Sequence, residues 1–79
     1  MTLLEATRKR IDELCKVNNM NINQLAIASG INPSTIRSIF KIISKAPSSD
    51  TIHFLCIGFG ISLKDFYDNK LFDDLDDND

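Results

Sequence analysis

Asn21-Ile-Asn-Gln-Leu-Ala-Ile-Ala-Ser-Gly-Ile-Asn-Pro-Ser-Thr-Ile-Arg-Ser-Ile-Phe40 reads as two short helices joined by a tight glycine turn. Asn21 is a good helix N-cap, and Gln24 stands three residues on, the spacing of a capping box. Leu25 and Ala26 open the buried stripe of the first helix. Gly30 follows where a helix C-terminus wants a left-handed residue, a conformation glycine adopts without steric cost. Ile31 packs into the turn. Asn32 caps the second helix, and Pro33 suits its first position, whose N–H has no helical partner in any case. Ile36 and Ile39 share a face and turn back onto the first helix.

This is the spacing of a helix-turn-helix. Ala26 is small enough for the second helix to cross close by. Gly30 comes four residues after Ala26, Ile36 six after that, and Ile39 three more. Each position answers a separate steric demand. The competing reading is an ordinary helical hairpin that binds no DNA.

Working outward, 79 residues make one small domain. Such a chain buries only ~60% of its unfolded surface, so it has one core and a thin stability margin. The formal charge of −2 hides an asymmetry. Residues 73–79 carry five of the eleven acidic residues and no basic ones; residues 1–72 carry nine basic against six acidic residues, a net of +3. A mildly basic body permits phosphate binding without requiring it. The expected organisation is a domain over 1–72 followed by a disordered acidic tail over 73–79, too poor in apolar residues to pack. The tail is either a solubiliser or a competitor of phosphate for the basic face.

Helix one is expected over Leu3–Val17, opened by a Thr2/Glu5 capping box. Leu4, Ile11, Leu14 and Cys15 fall on one helical face, with Arg8, Lys9, Arg10 and Lys16 largely off it. Asn18 and Asn19 end the helix, because asparagine tolerates the left-handed region. Helices two and three fall near 22–29 and 33–41, and 42–47 reads as a loop. Ser48 or Ser49 starts helix four, whose stripe is Ile52, Leu55, Cys56 and Phe59 and whose end is Gly60. Ser62 and Asp65 open a short helix five to Tyr67, with Leu63, Phe66 and Tyr67 closing the core. There are no strand signals and no internal repeat.

Two segments, Gln-Leu-Ala-Ile-Ala-Ser-Gly-Ile-Asn-Pro-Ser-Thr-Ile and Gly-Ile-Ser-Leu-Lys-Asp-Phe-Tyr, together with the five-helix plan, resemble the lambda-repressor-like Cro/XRE family over about residues 6–67. The resemblance implies an all-α, five-helix DNA-binding domain with the helix-turn-helix at helices two and three. It also implies a transcriptional regulator of bacterial or phage origin, usually a repressor, binding double-stranded DNA as a homodimer. The chain departs from the family where Ile22 replaces a phosphate-contacting glutamine and Pro33 replaces a base-reading one. Phe40-Lys41-Ile42 stands in place of the frequent Glu-x-Gly. The usual contact scheme therefore does not transfer whole.

Major-groove reading needs donors and acceptors on the exposed face of the second motif helix. With Ile36 and Ile39 given to the core, Ser34, Thr35, Arg37, Ser38 and Lys41 remain, and Asn32 at the cap adjoins them. Arg37 suits a bidentate contact to guanine, Ser34 either kind of base edge, and Lys41 a phosphate. Thr35 either satisfies its own helix start or meets a thymine methyl. The N–H groups near Ile22 and Asn23 are placed to hold a phosphate. Arg10, in the run Arg8-Lys9-Arg10, best matches the family's frequent basic position. For each cation the alternative is a solvated helix face.

An enzyme is not expected. There is no glycine-rich phosphate loop, no metal-ligand spacing and no triad, and His53 stands alone, so neither cofactor nor metal nor small-molecule substrate is anticipated. Cys15 and Cys56 read as small buried hydrophobes of a reducing compartment. No signal peptide or membrane span is apparent, and a cytoplasmic protein is expected. Phe54 and Ile57 lie outside the helix-four stripe, with Gly58 beside them permitting close approach. With Ile61 they form a candidate dimer interface, unless they pack against helix five, the 42–47 loop or the tail. The rival to a DNA-binding regulator is a helix-turn-helix serving protein interaction, as in an antitoxin-like component of a larger complex.

Overall fold

Residues 1–41 and 45–76 are described in the computed structural model of the chain. Helix α1 is Leu3–Val17, α2 Ile22–Ser29, α3 Pro33–Ile39, α4 Ser49–Phe59 and α5 Leu63–Tyr67, followed by a 3-10 turn at Lys70–Phe72. The described residues contain no strand. The all-α, five-helix plan expected from the sequence is therefore the observed one.

The helices begin and end for local reasons. At α1, Thr2 Oγ1 accepts from the Glu5 N–H at 3.1 Å, and the Glu5 carboxylate accepts from the Thr2 N–H at 2.9 Å. The Thr2 N–H bond to the carboxylate, with the Thr2 hydroxyl beside it, holds the Glu5 carboxyl below its ordinary pKa. Asn21 and Gln24 repeat the box at α2, at 2.8 and 2.9 Å. Ser48 and Ser62 cap α4 and α5. Gly30 and Gly60 close α2 and α4 in the left-handed region, at φ of 70° and 74°, and Asn19 takes the same region at 55° between α1 and α2.

The core gathers Ile11 and Leu14 of α1, Leu25 and Ala26 of α2, Ile36 and Ile39 of α3, the α4 stripe of Ile52, Leu55, Cys56 and Phe59, and Phe66 of α5. Ala6 and Thr7 are also buried on α1, with the Thr7 hydroxyl donating to the Leu3 carbonyl at 2.7 Å. Burial raises the thiol pKa of both cysteines, so they are poor nucleophiles.

Helices α2 and α4 approach closely. A Cβ on Gly58 would lie 2.1 Å from Ser29 Oγ and 3.1 Å from the Ser29 backbone nitrogen. Gly58 therefore permits close approach within the chain, to α2. It was expected to serve a dimer contact, and the missing side chain instead lets α4 dock on its own domain. Ser29 Oγ is buried there without a hydrogen-bond partner among the described residues.

Details differ from expectation at the end of α3 and in α5. Helix α3 stops at Ile39, with Phe40 as its C-cap, two residues short of the expected end. Leu63 and Tyr67 stay exposed while Phe66 is fully buried, because a helix of five residues turns only one side chain fully inward. Tyr67 instead stacks edge-on against Phe66 and Phe72, each at 5.0 Å between ring centroids. At the acidic end, residues 77–79 lie outside the described ones, but the Asp76 N–H donates to the Met1 carbonyl at 3.0 Å. The Asp76 carboxylate also pairs with the α-ammonium at 3.3 Å. Acidic composition does not prevent that contact, since the terminal cation supplies the opposite charge. Of the 42–47 loop, residues 42–44 are outside the described set, and Lys45 to Pro47 have no regular structure.

Candidate nucleic-acid interface

The core fixes what α3 shows to solvent. Ile36 is wholly buried and Ile39 nearly so, which turns Ser34, Thr35 and Arg37 outward and leaves Ser38 half-buried. Asn32 caps the helix by accepting from the Ser34 N–H at 2.9 Å, and the Ser34 hydroxyl donates to the same Asn32 oxygen at 2.8 Å. The Ser38 hydroxyl donates to the Thr35 carbonyl at 2.8 Å. Both serine hydroxyls thus donate to the helix or its cap and retain lone pairs that can accept.

Arg37 does not stand alone on this face. Its Nη2 donates to Asn23 Oδ1 at 3.0 Å, so the guanidinium leans from α3 to the first turn of α2. Sequence spacing placed both residues at the interface but did not join them. Beside them Ile22 is half-buried and Asn23 exposed. Lys41, just past α3, is exposed, and its backbone carbonyl accepts from Arg8.

Arg8 was assigned only to a basic run, yet it ties α1 to the end of α3. Its Nε donates to the Ile39 carbonyl at 2.6 Å, and its Nη2 donates to the Lys41 carbonyl. A cation at the C-terminal carbonyls of α3 satisfies orphan acceptors and complements the helix dipole. Arg10 is used in the same way at α5. Its Nε donates to the Phe66 carbonyl at 2.7 Å and its Nη2 to the Asp65 carbonyl at 2.8 Å, with the Phe66 ring 5.9 Å below the guanidinium. Arg10, expected near the DNA backbone, holds the end of α5 through these bonds. Two unsatisfied helix ends outbid solvent for the fork of donors.

The Cro/C1-type HTH DNA-binding domain matches the chain over residues 10–70. The chain belongs to this family. It is also similar to a solved structure, that of the prophage Lp1 protein 11, with 33% identity, 95% of this chain and 99% of that chain covered, and a TM-score of 0.83. No curated protein matches.

In this Cro/C1-type domain the three residues expected at a dimer interface are not equivalent. Among the described residues Phe54 and Ile57 are exposed, at 47% and 55%. Ile61 is half-buried against the core. His53 stacks loosely on Phe54, at 5.9 Å between ring centroids. Among the described residues, no helix is long and apolar enough to cross a membrane, and no three His, Cys, Asp or Glu side chains gather as a metal site.

Proposed function

We propose that the protein is a cytoplasmic transcriptional repressor of phage or mobile-element origin that binds operator DNA as a homodimer. One observation carries the reading. The exposed face of α3, with Ser34, Thr35 and Arg37, stands beside the start of α2, while Ile36 and Ile39 and the Arg8 clamp hold α3 in place. That arrangement suits a helix laid into the major groove with α2 against the backbone. The family supports the DNA target, and the likeness to a prophage protein supports the origin.

Arg37 reads a guanine in this scheme, exchanging the Asn23 carboxamide for the O6/N7 pair. The serine hydroxyls, retaining lone pairs that can accept, favour amino groups of adenine or cytosine. The test is binding-site selection from random DNA, followed by gel shifts across a salt series. Arg37→Ala should cost ~1–3 kcal/mol and relax preference at one G·C pair, whereas Lys41→Ala should weaken all sequences alike and lower the salt slope by about one. Equal loss on specific and random DNA would make Arg37 a phosphate clamp and leave reading to Ser34 and Ser38.

The partner in the dimer is a second copy, met through Phe54 and Ile57 with Ile61 at the edge. Two such domains would set their α3 helices ~34 Å apart, one turn of DNA. Phe54→Glu should convert the dimer to monomer in sedimentation. A wild-type protein already monomeric at high micromolar concentration refutes this surface.

A further inference from the structure

A cleft of about 550 Å³ opens where α1, the start of α2 and the end of α3 meet. That volume falls in the range of small-molecule sites. Ile11, Cys15, Met20, Ile22 and Phe40 give it apolar walls. On its α2–α3 side Arg37 lines the cleft and bonds to Asn23. Arg37 makes no ion pair within 4.0 Å among the described residues; its described side-chain partner is an uncharged carboxamide. Asp12, the acidic residue bordering the cleft, is drawn to Lys16, with 2.9 Å between Nζ and Oδ2. The cleft therefore offers an apolar body and a cation whose charge is not matched.

We infer that this cleft binds a small amphipathic carboxylate, an acyl or aryl-alkyl acid whose apolar part lies on Met20, Ile22 and Phe40 and whose carboxylate takes Arg37 from Asn23. A carboxylate accepts two parallel N–H bonds from a guanidinium, and such charge-assisted forks are roughly twice as strong as neutral hydrogen bonds. Burying the apolar part supplies the remainder of the affinity. The effect on DNA rests on the function proposed above. An acid bound here holds Arg37 in the cleft and off the base edge, so it acts as an inducer through the reading residue itself. No separate ligand domain is needed.

The experiment uses the full chain and phenylbutyrate, with the neutral amide of the same acid as control. Binding is followed by NMR at the Met20 methyl and the Arg37 Nε–H. Phenylbutyrate should shift both resonances, and the amide should bind about tenfold more weakly for want of the ionic fork. Arg37→Gln should weaken phenylbutyrate by a similar factor, and Asn23→Ala, which releases the guanidinium, should leave binding equal or tighter. Unmoved resonances at millimolar phenylbutyrate would overturn the inference, as would equal binding of acid and amide. Loss of binding in Asn23→Ala would overturn it too. A gel shift with and without phenylbutyrate then reads the regulatory step. A chain that binds the acid but no DNA would sink the proposed function and leave the cleft assignment standing.

Discussion

Helix α2 treats its neighbours on its two sides differently. Toward α4 the packing is so close that one methyl group at Gly58 would fall 2.1 Å from Ser29 Oγ. Toward α1 and α3 the packing stops short and leaves a cleft of about 550 Å³ with Arg37 at its edge. The contrast shows where this small protein concentrates its cohesion. Dense contact recovers the dispersion that a void forfeits. The α2–α4 seam thus anchors the motif, and the opposite side of α2 need not be filled. The side left open is the one that carries Asn23 and Arg37.

The contrast is broken most directly at Gly58. Gly58→Ala should destabilise the domain by about 1–3 kcal/mol, the usual cost of overpacking, despite the better helix propensity of alanine. Urea unfolding measures it. Ser29→Gly in the same chain should restore part of the loss, because the closest clash is with that side chain while the Ser29 backbone nitrogen stays 3.1 Å away. An unchanged midpoint for the single variant would show that the seam has slack.

A smaller effect is expected at the arginine anchors, which hold α3 and α5 to α1. Arg10→Lys keeps the charge but loses the fork that spans the Asp65 and Phe66 carbonyls. Thermal unfolding should report a loss of about 1–2 kcal/mol, in line with hydrogen bonds from a charged donor that is only partly buried. Full stability in this variant would mean that charge alone anchors α5.

The smallest effect is expected on the open side. Cys15 lines the cleft and is half-buried. Cys15→Leu adds volume there as Gly58→Ala does at the seam, yet it should change stability by no more than ~0.5 kcal/mol, as at sites free of core strain. A loss comparable to that of Gly58→Ala would show that the cleft has no room. A clear gain would show a void that had been costing stability.

What was legible in the chain was what acts over a few residues. The capping boxes at Thr2/Glu5 and Asn21/Gln24, the left-handed glycines Gly30 and Gly60, Pro33 at a first helical position and the stripes of Ile36/Ile39 and Ile52/Leu55/Cys56/Phe59 each follow from local geometry, and all appear as expected. They suffice for five helices and for the motif, because backbone donors and helical periodicity are satisfied within a turn or two. What only the tertiary structure decided is which distant groups those helices bring together. Arg8 and the Ile39 carbonyl are 31 residues apart, and Arg10 and the Phe66 carbonyl are 56 apart. No spacing rule separates an arginine that will find an orphan carbonyl from one that will meet a phosphate, since both want the same fork of donors. The same holds for Gly58, whose missing side chain announces a close approach but not the surface approached, and for Arg37, whose bond to Asn23 exists only once α3 has crossed α2. Local bonds are written in the order of residues, whereas the competition for a free cation or an empty space is settled by which surfaces the packed core leaves adjacent.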